Sequence, residues 1–499
     1  MASDSDNSEM FSNSQLKIIT LVSAVGTGVF MSSMDASVVV VILEQLQTDF
    51  GVTPSIVQWV ILSYLLTMMA FTVIAGDLGD RYSNKRIYQY GMILFGIGSL
   101  FCFLSVEFLL RSIWFLVFSR VIQAIGATGM MANGMALVTR FTTKKNRGTA
   151  IGINFGIISL AIMLGPVFGT VLDKYWRISG VFLINLPIVI MGLLLVHYNI
   201  PETPPLAKRK KTDHLGSLLF ALFLIILVLS FTVFPETDTI PNARMWAGIA
   251  FGVSLLVLPL FIWWERRTSY PLIDFKMLKN RKISIGLVTA ILQHQGYIVI
   301  IYHFSLFLPK FGITHTPIEL GLVLSGIAIG MGLLAAVSGK LSNKVDARYL
   351  CSGAMIGVAI MLAILSALID VNAHISVYIV TSIVIGICIG LFQAPNGNSI
   401  MTAAPREKLG VASGLHGLTT SVGISLGTAL STVILALVAN LVSNKNGLPI
   451  YGEVNYALGL KWVFGVYAVL TLLGAILSYF RGPEDRSEGE SIETTMKNH

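Results

Sequence analysis

The chain has 499 residues, 54% of them hydrophobic and 12% charged, with a mean hydropathy of +0.77. A soluble domain carries about 25% charged residues, so the composition excludes a soluble enzyme and points to an integral membrane protein. The formal net charge of +8 would suggest an acidic or nucleic-acid partner in a soluble chain, but its distribution assigns it to membrane topology and argues against nucleic acid.

Met1 to Ser12 is polar and acidic, without an apolar core behind a basic start, so no cleaved signal is expected and residues 1–17 read as a tail. Fourteen apolar segments then follow that are long enough to cross a bilayer, at 18–41, 57–77, 87–107, 112–137, 149–171, 180–198, 215–234, 246–264, 284–308, 318–338, 350–369, 375–400, 408–438 and 462–480. They are too long for barrel strands and lack sustained alternation. An all-α membrane bundle follows.

Charge tests the count. With the N-terminus inside, 26 of the 34 basic residues, Arg481 among them, fall on the tails and inner loops, which is the positive-inside pattern with both termini cytoplasmic. Two longer inner connections, one carrying Lys208 to Lys211 and one running from Arg266 to Lys282, divide the chain. The expected organisation is a six-helix bundle over 18–200, basic linkers with two extra helices over 201–282, a second six-helix bundle over 283–480, and an acidic, Ser-rich disordered tail over 481–499. An internal echo relates the two bundles: Gly76 and Asp80 to Arg86 follow the second span, while Gly339, Asn343, Lys344 and Arg348 follow the tenth, at an offset of 263 residues. Parallel repeats of this kind suit a transporter whose halves rock about a central site.

The first span holds one acid, Asp35, with no basic partner within ten residues on either side. A carboxylate facing lipid there costs several kcal/mol, so Asp35 is expected to face water or a buried partner, or to carry a proton. In the fourth span Arg120 lies roughly 13 Å in from the outer side, about the depth of Asp35. Arg120 is expected to pair with the acid in one conformation and release it in another. Gln123, three residues on, extends that face and is expected to line the substrate cavity. In the loop after the second span Gly76 permits close approach of helix ends, and Asp80 can accept backbone N–H groups and pair with a basic side chain of another helix. With Arg81, Arg86, Gly339 and Asn343 it reads as a conformational gate, weaker at Asn343. The fifth span lines Gly152, Ala161, Gly165, Pro166 and Gly169 along one helix, whose low side-chain volume suits close packing. The seventh and eighth spans carry almost no polar residues and read as packing or lipid-facing elements. In the ninth and twelfth spans His294, Gln295, Tyr297, His303, Gln393, Asn396 and Asn398 could orient an amphipathic ligand, and His294 is a second titratable group. Glycines 414, 417, 423 and 427 read as packing positions.

These residues carry a resemblance. Asp35, Trp59-Val60, Ser63-Tyr64, the loop Gly76-Asp77-Leu78-Gly79-Asp80-Arg81 with Lys85-Arg86, then Arg120, Gln123, Gly126, Gly165-Pro166, Trp176-Arg177, Asn185-Leu186-Pro187 and Gln393-Ala394-Pro395-Asn396 resemble the major facilitator superfamily. The likeness is to its fourteen-helix branch of drug:proton antiporters, over nearly the whole membrane region. The resemblance implies two pseudo-symmetric bundles with an extra helix pair, and it makes the fifth-helix series a mark of exporters. This chain departs from the usual series at Ala161 and Thr170.

No phosphate-binding loop, CxxC or HExxH occurs, and Cys102, Cys351 and Cys388 lack metal-ligand spacing. No metal or organic cofactor and no enzyme activity are expected. The expected function is export of lipophilic cationic or neutral amphipaths across the cytoplasmic membrane in exchange for protons, by a monomer in the lipid bilayer. Proton-coupled import, lipid or fatty-acid transport, and a non-transporting sensor or scaffold remain open on these residues.

Overall fold

The computed structural model describes residues 15–107, 112–205, 213–233, 242–370, 373–446 and 453–483. The polar N-terminal tail up to residue 14, the basic run Lys208 to Lys211 and the acidic tail from residue 484 lie outside the described residues. Among the described residues, fourteen helices are long and apolar enough to span a membrane. They are α1 Gln15–Val41, α2 Trp59–Arg81, α3 Asn84–Glu107, α4 Ile113–Arg140, α5 Lys144–Leu183, α6 Asn185–Asn199, α7 His214–Val233, α8 Ala243–Arg267, α9 Arg281–Lys310, α10 Pro317–Ser342, α11 Ala347–Leu368, α12 Ile375–Ala403, α13 Leu409–Asn446 and α14 Glu453–Tyr479. No strand occurs among the described residues. The backbone between the fifth and sixth spans differs from expectation: α5 stays helical to Leu183, because residues 171–179 contain no glycine or proline to stop it.

Local sequence sets several helix starts. Thr316 accepts the backbone N–H of Glu319 at 3.2 Å and Glu319 accepts that of His315 at 2.7 Å, a reciprocal cap with Pro317 in the first turn of α10. Asn280 caps α9 through Lys282 N at 3.0 Å.

Helices α1–α6 pack on one another, and α9–α14 do likewise. The halves meet along two seams, α2 with α13 and α5 with α10. Both seams are built on glycine. A Cβ on Gly76 would lie 2.1 Å from Gly410 O, and one on Gly152 would lie 2.5 Å from Ala335 O and 2.8 Å from Gly339 Cα, so only hydrogen fits and the backbones touch. Gly339 lies 263 residues after Gly76 and Gly410 lies 262 after Gly148, whose carbonyl faces Gly339. The two seams are thus repeats of one contact, both at the end of the molecule that carries the basic loops. Gly414 and Gly417 continue the first seam against Thr72, while Gly423 and Gly427 pack against α9.

The extra pair is placed asymmetrically. Helix α7 packs on α2 and α13, roofing that seam, and α8 packs on α7 with most of its apolar surface outward. Asp213 accepts the Gly216 N–H at 2.8 Å and the Trp264 indole N–H at 2.9 Å, and Glu265 accepts the Leu272 N–H at 3.1 Å. The Trp264 bond ties the basic end of α8 to that of α7.

Gly76→Val puts methyl groups into the Gly410 carbonyl, and spin labels at Tyr82→Cys and Arg406→Cys are expected to move apart in it relative to the parent. An unchanged distance distribution would count against backbone contact holding this seam.

Candidate functional site

Helix α4 presents Arg120 and Gln123 one turn apart, and α3 lies against it closely enough that a Cβ on Gly98 would be 2.5 Å from Gln123 N. That approach carries Ser99 to Gln123. Across from them, α1 offers Asp35 and the first turn of α6 offers Asn185.

The structure joins these groups. Arg120 Nη1 lies 2.5 Å from Asp35 Oδ2, with the two residues 1% and 2% exposed. Gln123 Nε2 donates to Asp35 Oδ1 at 2.9 Å and to Ser99 Oγ at 2.8 Å, and its Oε1 accepts from Arg120 at 2.5 Å. Asn185 Nδ2 donates to the same carboxylate oxygen at 3.0 Å and to Ser99 Oγ at 3.2 Å. Arg120 Nε donates to Val60 O at 3.3 Å, and its guanidinium lies 4.2 Å from the Tyr64 ring centre. Asp35 therefore accepts from three side chains and donates to none among the described residues, a shell complementary to an ionised carboxylate, which only accepts. Burying both charges costs several kcal/mol per ion, which only close pairing and full hydrogen bonding offset. Gln123, expected on a cavity wall, is fully buried within this network. Asn185 and Ser99 belong to it as well. Asn185 stood in the sequence only as part of a motif, and the partner of a neutral amide is not legible from spacing.

The second half lacks the counterpart. At the same 263-residue offset Asp35, Arg120, Gln123 and Ser99 become Ile298, Ile383, Gly386 and Leu362. Its polar groups lie elsewhere. His294 Nδ1 is 2.7 Å from the Ala290 carbonyl; a carbonyl only accepts, so Nδ1 carries the proton and Nε2 receives the Gln393 amide at 3.2 Å. Gln393 also donates to Gln293 at 3.4 Å. The Tyr297 ring meets His294 edge-on at 5.8 Å, and Gln295 backs on Gly427. His416, which sequence reading passed over, reaches across between the halves to an edge contact with Phe155 at 6.2 Å. His303 is fully buried and neither ring nitrogen has a hydrogen-bond partner among the described residues.

Asn396 is committed within the second bundle, donating to Gly286 O at 3.1 Å and accepting from Arg481 at 2.6 Å. Asn398 contacts Ser342 at 3.4 Å and Thr402 at 3.5 Å. Arg481 corrects an expectation: counted as a tail residue, it is 2% exposed and also donates to Thr289 at 3.1 Å, with no carboxylate partner among the described residues. Its long apolar stem lets the guanidinium fold back into the bundle.

At the basic end, Asp80 accepts the N–H groups of Gly410 at 2.7 Å and Val411 at 3.0 Å. These are first-turn amides of α13, unpaired within their own helix and at its positive pole. The basic side chain expected opposite Asp80 is absent among the described residues. Arg81 instead pairs within its helix with Asp77 at 2.5 Å, and Arg86 lies 3.5 Å from Glu202. At the equivalent place in the other seam, Asn343 accepts the Gly148 N–H at 3.1 Å and donates to Thr149 at 3.0 Å. Bonds to a charged acceptor contribute about 1.5–3 kcal/mol each and neutral ones about 0.5–1.5, so the Asp80 contact is the stronger. Along α5, Gly152 faces Gly339, Ala161 is fully buried, Gly165 abuts Ser37 of α1 and Gly169 is buried. The side chain of Pro166 lies outside the described residues.

Two bundles in parallel repeat, a membrane-buried ion pair in one of them and hydrogen-bonded seams between them define a multi-pass membrane transporter and not an enzyme. A profile described as the Major Facilitator Superfamily matches residues 25–428 and 296–496. The chain belongs to that superfamily, and its fourteen spans fit the fourteen-helix branch. It is 27% identical over 453 residues to the riboflavin transporter RibZ of Clostridioides difficile (strain 630), covering 91% of this chain and 95% of that one. It is 28% identical to the multidrug resistance protein Stp of Mycobacterium tuberculosis (strain CDC 1551 / Oshkosh), covering 84% and 76%. The solved structure of the proton:xylose symporter XylE superposes with a TM-score of 0.64 at 13% identity, covering 92% and 94%.

Two outcomes are expected. Arg120→Ala leaves the acid buried without its partner and lowers stability by about 3–5 kcal/mol, read as an earlier unfolding midpoint in detergent; Asp35→Asn with Arg120→Ala together should cost less than the sum of the two. Asp80→Ala should reduce the population closed at the basic end by about tenfold or more, and Asn343→Ala by less, in the same spin-label measurement.

Proposed function

We propose that the protein is a proton-coupled antiporter that exports lipophilic cationic or neutral amphipaths by alternating access, from a cytoplasmic membrane with both termini inside. The observation that carries this reading is the Asp35–Arg120 network: a carboxylate buried against a guanidinium, matched by donors and placed in only one of the two halves. A group that must exchange a proton needs such a defined partner to leave and return to. The seams close the basic, cytoplasmic end in this conformation, so Asp35 would take its proton from the outer side. Rocking then breaks the Asp80 and Asn343 contacts, opens the inner side, and couples proton release to substrate uptake. The name of Stp supports multidrug export, and the positive-inside distribution supports the orientation.

A second reading, transport of a neutral hydrogen-bonding heterocycle of the kind RibZ is named for, is favoured by one observation. The second half offers His294, Gln393 and Gln293 but no buried carboxylate among the described residues. Both readings use the same bundles and differ in substrate.

In proteoliposomes, a pH step applied across the membrane is expected to drive accumulation of a cationic dye by the parent protein, and Asp35→Asn is expected to lose this at least about tenfold, the scale of one buried hydrogen-bonded charge. Full accumulation by Asp35→Asn would end the antiport proposal, and uptake of a flavin but of no cation would favour the second reading.

A further inference from the structure

The shell around Asp35 suits one protonation state only. Gln123 and Asn185 both aim N–H groups at Oδ1, and Arg120 covers Oδ2. A carboxylic acid needs an acceptor for its new O–H. Two oxygens of this network are already engaged. Gln123 Oε1 is held by Arg120 at 2.5 Å, and Ser99 Oγ already accepts from both amides. Two buried oxygens here, the Tyr64 hydroxyl and Asn185 Oδ1, have no hydrogen-bond partner among the described residues, and Asn185 Oδ1 belongs to the amide already bonded to Asp35.

From this arrangement we infer that Asn185 is a reversible positioning residue for the proton on Asp35. When the carboxylate is charged, the amide donates through Nδ2, as observed. When a proton arrives on Oδ1, the amide turns over about its last side-chain bond, the N–H contact to Asp35 breaks, and Oδ1–H donates to the amide oxygen. The unsatisfied amide oxygen seen here is the partner held in reserve. Leaving a buried polar atom without a bond is costly, and use in another state accounts for its being kept. The titratable groups around Asp35 are Arg120 on α4, Tyr64 on α2 and Cys102 on α3; α6 contributes the Asn185 amide.

This inference rests on Asp35 being the proton carrier, and the experiment separates the two. Infrared difference spectra between high and low pH, on the full-length protein in liposomes, report the C=O stretch of any carboxyl that gains a proton, and Asp35→Asn identifies the band belonging to Asp35. In Asn185→Leu that band is expected to shift to higher wavenumber, because the acid has lost its acceptor. An unshifted band overturns the role of Asn185 while leaving Asp35 as carrier. Absence of any Asp35-dependent band in the parent overturns both. Asn185→Asp keeps the side-chain size and places a second carboxyl beside Asp35; two such groups cannot both ionise readily, so the pH midpoint of proton-driven exchange should rise by about one unit or more. An unmoved midpoint in a folded Asn185→Asp protein also overturns the inference, since the exchanged proton would then not lie beside residue 185.

Discussion

A carboxylate and a guanidinium with almost no exposed surface, in the middle of a bundle otherwise made of apolar helices, constrain everything around them. The pair survives burial only because α3, α4 and α6 deliver neutral dipoles to it. Those helices must then lie at fixed distances: Gly98 lets α3 approach α4, and Ser99 ties the Gln123 and Asn185 amides into one frame. The first bundle is therefore organised around its charge. At the corresponding positions of the second bundle lie Ile298, Ile383 and Leu362, and α9–α14 are organised around aromatic packing of Phe304, Phe307, Tyr378 and Phe464. A duplicated architecture has kept its backbone contacts and divided its chemistry.

Glycine brings backbones together both within the bundles, as at Gly98 and Gln123 or Gly386 and Ile327, and between them. At the seams, glycine backbones touch and a few hydrogen bonds close the basic end. Beside the side-chain packing there, a small number of nameable bonds at Asp80 and Asn343 bias its equilibrium. Their unequal strength is written in a single residue difference between the repeats.

Much of this was legible in the sequence. Fourteen spans, the six, two, six grouping of apolar segments and the offset between repeats follow from hydropathy and charge, because a bilayer enforces both. Asp35 and Arg120 stood out as charges in apolar segments, and depth estimates placed them at one level; that they face each other depends on helix rotation, which a single chain does not encode. Asn185 escaped because amides near a span end are common and bring no charge to flag them. Arg481 was misplaced because counting basic residues near span ends assumes they reach water, whereas a long arginine can turn inward to Asn396 and Thr289. Asp80 was expected to accept backbone N–H groups and to pair with a basic side chain; it accepts from the first turn of α13, a group that exists only once that helix is formed, and no basic side chain lies opposite it among the described residues.

The position of α7 and α8 breaks the two-fold relation between the halves on the side facing the bilayer. The α2/α13 seam is roofed by protein, while no helix pair covers the α5/α10 seam among the described residues. A rocking motion that is symmetric for the bundles is then lopsided for their surroundings, with one cleft parting beneath a protein cover and the other against acyl chains.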